Sequence, residues 1–593
     1  MKVNVAIIGS GLAGYSVADW LVKFGVSDVA IFTEKIKAGT SRNTGSDKQT
    51  YYKLSLENDD SYRLMAKTYY DGGAIDGDIA IVEASNSLRC FYKLVDYGVP
   101  FPQNDNGVFV GYKTDHDDSK RATSIGPLTS KIMTEVLEKK VIEKGVSVYD
   151  NAFVVKLLKN EKGIVGFLYW DSGEKEIKHI EANYVVLATG GASTIYYDSV
   201  YPNSQHGSMS LALDLGLNLS NFAEWQYGIA SIKFRWNLSG SYQQVIPRYV
   251  SIDKNGNEYE FLCDYIKDNE KLLEYIFLKG YEWPFDSRKI LRSSQIDMAI
   301  INEKIKGRKV YIDYTKNPNF YDIEKVAVAK EYLEKADAIA STPIERLKKL
   351  NPKAIELYKN HKIDLEKEYL EIGVSAQHCN GGVEIDKHYQ SKCKGLYVIG
   401  EASGNFGVYR PGGSALNSTQ VGGLEVAKHI KNNIRVVDFF DFENYVKEEK
   451  DKVIKQIAKK DNTYDIIEKS RKLMSNYCSI IRNMNELPYI LEYMEKIILN
   501  NSIYIEKYEN AIKYYIVKDM LLSQIALLKT VMNNCRIFGT RGGAIAIENG
   551  VYVNESDNIM DIISLTNKEK VEYRIRKKLK FEEDNFEKLL KEI

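Results

Sequence analysis

The chain has 593 residues, too many for one ordinary core, so two or three structural domains are expected. Hydrophobic residues make up 44% and charged residues 27%, a globular balance that excludes a disordered or fibrous chain. Lys plus Arg equals Asp plus Glu at 81 each, so no charge surplus points to nucleic acid or an anionic membrane.

The chain opens as a βαβ unit. Val3–Ile8 is apolar apart from Asn4, as suits a strand buried on both faces of a parallel sheet. From Leu12 to Phe24, Ala13, Val17, Trp20, Leu21 and Phe24 recur at helical spacing, and Gly25 ends the run. Asp28–Thr33 is the second strand. Two later runs, Tyr184–Thr189 and Gly395–Gly400, have the same buried-strand character and end in small residues. Ligands of open α/β sheets sit at the carboxyl ends of strands, which makes both ends site candidates. Residues 226–364 are rich in Tyr, Lys, Glu and Asn and read as an inserted domain. After about residue 434 the pattern turns helical and charged, over Val436–Lys459, Tyr464–Met474, Ile480–Asn500 and Tyr508–Thr530.

The six cysteines, Cys90, Cys263, Cys379, Cys393, Cys478 and Cys535, form no C-x-x-C pair, so no zinc, dithiol or iron–sulfur motif is carried. No run of about 18 apolar residues exists to span a bilayer, and the amino-terminal apolar stretch is too short for a signal sequence. A cytoplasmic protein with no integral membrane segment is expected.

Gly9-Ser10-Gly11-Leu12-Ala13-Gly14 is G-x-G-x-x-G between a strand and a helix. The first glycine makes the tight turn, the second admits a pyrophosphate to the backbone, and the third packs helix on strand. The helix N-terminus offers unpaired N–H groups to the phosphates. Glu34, 20 residues after Gly14, can hold ribose hydroxyls. A dinucleotide site follows. A plain NAD domain has no need of remote strand ends such as Ala188-Thr189-Gly190-Gly191 and Gly400-Glu401-Ala402. A flavoprotein does, because the isoalloxazine lies away from the adenine and must be held by later segments. On that reading Glu401 binds ribityl hydroxyls, and a helix starting near Ser414-Ala415-Leu416 points its N-terminus at the flavin N1–C2 region.

Ser375-Ala376-Gln377-His378-Cys379-Asn380-Gly381-Gly382 resembles the His-x-x-x-Gly-Gly segment of the fumarate reductase/succinate dehydrogenase/L-aspartate oxidase flavoproteins, with His378 one residue nearer the glycines. Glu401 through Arg410-Pro411-Gly412-Gly413-Ser414-Ala415-Leu416 resembles their Gly-Glu…Arg-x-Gly-Gly-x-x-Leu segment. Gly207–Glu224 is similar to the stretch that leads into the capping domain, and Thr540–Ala544 to the late Ser-Arg-Gly-Ala segment. The resemblance implies an α/β fold: a Rossmann-like FAD-binding domain (1–225 plus 365–433), an inserted α+β capping domain (226–364) and a C-terminal helical bundle (434–593).

It also implies an FAD-dependent oxidoreductase that moves a hydride between flavin N5 and a small substrate, interconverting C–C single and double bonds. Arg410 matches the carboxylate-binding Arg, His378 one of two substrate histidines, and Arg292, with Arg288 in competition, the proton-shuttling Arg. No counterpart of the second histidine is found; Glu224-Trp225-Gln226-Tyr227-Gly228 offers an aromatic and an amide instead. The loop Thr40-Ser41-Arg42-Asn43-Thr44-Gly45-Ser46-Asp47 lacks the histidine that bonds FAD covalently in respiratory members, so noncovalent FAD is expected, with Ser41, Thr44, Gly45 and Ser46 beside it. Dehydrogenation of an alcohol, amine or ring with Tyr227 or His378 as base, an electron-transfer subunit of an iron–sulfur complex, and a flavin-binding regulator stay open. A redox partner protein is compatible with each. Tyr112–Asp118 places its acids and His116 consecutively, where they cannot converge on a metal. It reads as a loop near the pocket, no metal site is expected, and Thr50-Tyr51-Tyr52-Lys53 either lines the pocket or packs.

Overall fold

The computed structural model describes residues 1–591 apart from 58, 439, 557–559 and 584. Its first strand, β1 (Lys2–Ile8), is central: β2 (Val29–Phe32) and the strand Glu176–Leu187 pair with it in parallel on either edge. Parallel sheets are covered on both faces, which is why Val5, Ala6 and Ile7 all vanish from solvent instead of alternating. The seven-stranded sheet runs Ser147–Tyr149, β2, β1, Glu176–Leu187, Gly163–Asp171, Ala152–Asn160. Leu396–Val398 lies parallel beside the end of Glu176–Leu187. Five parallel strands, Ser147–Tyr149, β2, β1, Glu176–Leu187 and Leu396–Val398, therefore deliver their carboxyl ends side by side, and the helix α1 (Leu12–Lys23) leaves from β1.

The capping domain carries its own antiparallel sheet, ordered Trp236–Asn237, Trp225–Ser231, Leu370–Cys379, Lys309–Asp313, Arg248–Ile252, Glu258–Tyr259. It also has its own core, in which Trp236, Tyr242, Tyr249, Ile312 and Tyr358 are buried. The expected return to the FAD domain at residue 365 comes too early, because Leu370–Cys379 hydrogen-bonds inside the cap sheet. The entering strand and the leaving strand are neighbours, with Gln226 opposite His378 in register.

The helices Phe442–Ile454, Thr463–Tyr477, Leu487–Leu499 and Ala511–Phe538 match the four expected runs. Their apolar faces join the same hydrophobic core as the main sheet. They buttress that domain and do not form a separate unit. The chain then departs from the expected bundle: a hairpin, Ile562–Thr566 with Lys570–Arg574, pairs with Leu219–Ser220. Beyond it, Arg574 forks onto Asp76 (3.0 and 2.8 Å) and the Lys577 N–H donates to the same carboxylate at 2.7 Å. Among the described residues no helix is long and apolar enough to cross a membrane.

The packing of α1 on the sheet rests on Gly14, where a Cβ would sit 2.0 Å from the Gly9 carbonyl oxygen. That atom is backbone and cannot swing aside. Gly14→Ala is expected to lift the helix from the strand and cost about 1–3 kcal/mol. An unchanged urea midpoint and unchanged flavin content would contradict this packing.

Candidate active site

One cavity of about 370 Å³ runs along the carboxyl ends of the parallel strands and under the capping domain. At its nucleotide end lie Gly9, Ser10, Gly11, Leu12 and Ala13, with Glu34 at the tip of β2. Gly9 adopts φ +113° and passes so close to the next strand that a Cβ would lie 2.4 Å from the Ala188 carbonyl oxygen. Gly14 is the exception among the motif residues: it packs α1 on β1 and does not line the cavity. The loop after β2 folds over this end. Ser41 accepts a hydrogen bond from the Leu12 N–H (3.1 Å), Thr44 donates to the Val200 carbonyl (3.0 Å), and Ser46 receives the Gln49 N–H (3.0 Å). Ser41, Thr44, Gly45 and Ser46 all line the cavity.

Burial pushes the Glu34 carboxyl up to about 7. His206, which sequence reasoning did not single out, stands 3.5 Å from it, and burial draws that imidazole down to about 4. Further along, Gly190 (φ +76°) and Gly191 clear space for Gln205 and Glu401, whose side-chain atoms come within 2.6 Å of where their Cβ atoms would be. Ala188, Thr189, Gly190 and Glu401 line the cavity, and Gly191 lies behind Glu401. Glu401 accepts the Cys379 N–H at 2.9 Å and the Tyr201 hydroxyl, and burial raises it above the usual carboxylate range.

A string of buried polar atoms along this wall has no hydrogen-bond partner: Gln205 Nε2, His206 Nδ1, Ser208 Oγ, Thr189 Oγ1, Gln377 Oε1 and His378 Nε2. Buried polar groups are nearly always paired, so a row of orphans on one cavity wall marks the outline of a polar ligand. The row runs from the glycine turn to the far end beneath the cap, the path an extended dinucleotide with a ring system takes. The residues present fit FAD.

At that far end Arg410 is buried. Its Nε and Nη2 both donate to Gln226 Oε1 (3.1 and 2.6 Å), and Nη1 reaches Pro411 O and Ser414 Oγ only at 3.5 Å. No carboxylate among the described residues pairs with it, and burial lowers it to about 10. Ser414 turns its hydroxyl onto the Pro411 carbonyl (2.8 Å) and braces the turn from behind, while Ala415 and Leu416 face the cavity at the start of the helix Ser414–Asn432. His378, opposite Gln226, has Nδ1 2.9 Å from Asn380 Oδ1. The Asn380 amide is oriented by its N–H donating to Val408 O (3.2 Å), so Nδ1 carries the proton and Nε2 is a bare acceptor. Burial and Arg410 hold the imidazole well below its ordinary value, hence neutral.

Two expected catalytic residues stand elsewhere. Arg292 is exposed and does not line the cavity, and Arg288 forks onto Asp286 (2.7 Å) and stacks on Tyr409 at 3.5 Å. The turn that carries both arginines is tied down by Asp286 and Ser294, which aims them outward. Tyr227 points to the other side of its strand, its hydroxyl 2.8 Å from that of Tyr196 in a closed core, and its neighbour Gln226 takes the cavity face. The segment Tyr112–Asp115 does line the cavity, with Trp283 and Tyr281 of the cap facing it. Of Thr50–Lys53 only Thr50 does; Tyr51 and Tyr52 are packing residues. No group of three or more His, Cys, Asp or Glu able to hold a metal occurs among the described residues.

A sequence model of the family described as "FAD binding domain" matches residues 4–416. The chain belongs to this FAD-binding family. It is an FAD-dependent oxidoreductase of the fumarate reductase/L-aspartate oxidase type, and FAD is its cofactor. Similar proteins include an uncharacterised FAD-dependent oxidoreductase of Methanocaldococcus jannaschii, 25% identical over 73% of this chain and 74% of that protein. An L-aspartate oxidase of Pyrococcus abyssi is 26% identical over 72% and 78%. Among solved structures, a quinol-fumarate reductase with menaquinol molecules has TM-score 0.78 and 17% identity, covering 97% of this chain and 98% of that one. Adenylylsulfate reductase from Archaeoglobus fulgidus has TM-score 0.68 and 14% identity over 99% and 97%. These two likenesses establish the fold.

Within this FAD-binding frame Glu34, which lines the cavity at the tip of β2, is expected to accept from the ribose hydroxyls, and hydrogen bonds to a charged group contribute about 1.5–3 kcal/mol. Glu34→Ala is expected to weaken FAD binding about tenfold to a hundredfold, read by flavin fluorescence titration of apoprotein. The ionised carboxylate is the better acceptor, so wild-type affinity is expected to decline as pH falls through about 7. Glu34→Gln should flatten that profile.

Proposed function

We propose that this flavoenzyme interconverts a C–C single and double bond in a small substrate held by one carboxylate, with FAD bound noncovalently. The observation that carries the reading is Arg410, a buried guanidinium at the cavity end whose bonds go to an amide and to no carboxylate. A desolvated cation that no carboxylate hydrogen-bonds is costly, and an incoming carboxylate reduces the cost. FAD, when bound, supplies or accepts the hydride. The chain's own residues do the rest. Gln226 Oε1 pins two N–H groups of Arg410 and turns the free edge of the guanidinium toward the cavity. Arg410 draws negative charge from the substrate carboxylate and so polarises the adjacent double bond. His378 Nε2 offers an acceptor to a substrate hydroxyl or amide, and the cap residues Trp283 and Tyr281 limit access of water.

The names of similar proteins support this reading: L-aspartate oxidase and fumarate reductase both act on small carboxylates. Gln226 and Gln377 stand where cationic or imidazole anchors would grip a second carboxylate, which favours a monocarboxylate over fumarate itself. Residues 40–50, which fold over the cavity, contain no histidine, in keeping with noncovalent FAD. All six cysteines are free thiols, in keeping with a reducing cytoplasmic setting. Electrons come from a separate donor, a redox partner protein or a small carrier.

Flavin is expected in the supernatant after acid precipitation of the holoprotein; flavin retained in the pellet would contradict noncovalent binding. Dye-reduced holoenzyme mixed anaerobically with crotonate, cinnamate or fumarate is expected to regain oxidised-flavin absorbance. Arg410→Ala should keep its FAD and slow that reoxidation about 10²–10³-fold. If no enoate reoxidises the flavin while alcohols or amines bleach the oxidised enzyme, dehydrogenation of those substrates takes the place of this reading.

A further inference from the structure

Arg292 on the surface and Arg288 locked to Asp286 leave Arg410 as the one arginine lining the cavity among the described residues. A reaction that adds hydride to one carbon must deliver a proton to its neighbour, so the chain needs another donor at the Arg410 end. We propose that Asp115 is that proton-transferring residue, a role that rests on the enoate reading above. The hairpin Tyr112–Thr114/Asp117–Thr123 holds the Asp115 carboxyl between the Trp283 N–H of the cap and Gly412, two residues from Arg410. The Gly412 N–H donates to the Asp115 carbonyl at 3.0 Å, and a Cβ on Gly412 would lie 3.4 Å from Asp115 Oδ2. The turn cannot drift, because Arg121 at its base forks onto Asp60 (2.9 and 2.6 Å) and reaches Asp117 at 3.2 Å.

Other groups at this end are less suited to give a proton. His378 is neutral with its only N–H committed to Asn380. The Tyr112 hydroxyl is 2.7 Å from Thr50 Oγ1, and burial pushes its pKa above that of an ordinary phenol, which makes it a weaker acid. Lys48 sits with its ammonium 5.3 Å from the Tyr112 ring centre. The charges that face Asp115 are Arg410, and from the cap Lys279 and Lys289, each already paired, with Asp297 (2.8 Å) and Glu282 (3.0 Å). Its neighbour His116 faces Asp286 and Arg288 and is held down to about 4, hence neutral. The balance leaves the Asp115 carboxyl raised to about 7 by desolvation, so it is substantially protonated at neutral pH.

In the reducing direction the Asp115 O–H bond breaks and a C–H bond forms at the carbon α to the substrate carboxylate. Bound FAD in its reduced form would supply the hydride to the β carbon and lose two electrons as C=C becomes C–C. Asp115 is left as a carboxylate and regains its proton from water at the cavity mouth. The same acid also tunes binding: ionised, it repels the anion beside Arg410.

The test uses FAD-loaded wild type, Asp115→Asn and Lys48→Met, with crotonate as probe. Flavin absorbance perturbation gives the crotonate Kd from pH 5 to 9. Above about 7 the wild-type Kd is expected to rise by up to about tenfold per pH unit, as one-proton linkage requires. Asp115→Asn should bind FAD normally, show a flat profile, and reoxidise about 10²–10⁴-fold more slowly. Crotonate, cinnamate and fumarate all failing to bind or reoxidise wild type overturns the enoate reading, and this assignment with it. Wild type that turns over while Asp115→Asn matches it in rate and pH profile overturns the assignment alone. So does a loss confined to Lys48→Met.

Discussion

Two helices separated by about 400 residues meet at backbone distance, and the cavity is what their meeting encloses. A Cβ on Gly423 would lie 2.7 Å from Ser16 Oγ and 2.9 Å from the Val17 nitrogen, so the helix Ser414–Asn432 can cross α1 this closely only at a glycine. Ser16 Oγ and Gln420 Oε1, 3.1 Å apart, fasten the crossing. The N-terminus of one helix is thereby set at the nucleotide end and that of the other at the Arg410 end. Both partial positive charges face inward along one trough. Everything downstream depends on this spacing, from Glu34 at the tip of β2 to the guanidinium under the cap.

Charge in the trough is arranged with deliberate imbalance. Glu401 and Asp115 are raised by desolvation, His378 and His206 are driven neutral, and Arg410 is a buried cation that no carboxylate among the described residues hydrogen-bonds. In a medium of low effective dielectric such a buried cation bears strongly on what enters. Gln226 stabilises it without neutralising it, which a carboxylate in that position would not do. The entering and leaving cap strands carry Gln226 and His378 opposite one another, so the capping domain reports directly on the charged end of the trough.

How much of this was legible in the sequence depends on the kind of constraint. The glycine turn, Glu34, the strand ends at Ala188–Gly190 and Glu401, and the Arg410–Leu416 turn were readable, because each needs particular residues at fixed short spacing. The cap was not readable in the same way. Arg292 and Tyr227 have the right chemistry at about the right place, but a tethered turn at Asp286 and the side alternation of one strand point them away. Asp115 gave no separate signal among consecutive acids, and only the hairpin shows which one turns inward. Gln205 and His206 lie in an irregular stretch where spacing carries little information. The hairpin Ile562–Thr566/Lys570–Arg574 lies past the last helical run, Tyr508–Thr530, within the span 434–593 expected to be a helical domain.

That hairpin bears on how the molecule comes into being. Leu219–Ser220 waits for Ile562–Thr566, and Asp76 at the start of an early helix waits for Arg574 and Lys577. During vectorial synthesis these early segments leave the ribosome long before their partners exist. The first half of the chain therefore passes a long interval with an unpaired strand edge at Leu219–Ser220 and an unanswered carboxylate at Asp76, and these late-made strands act as the latch on both.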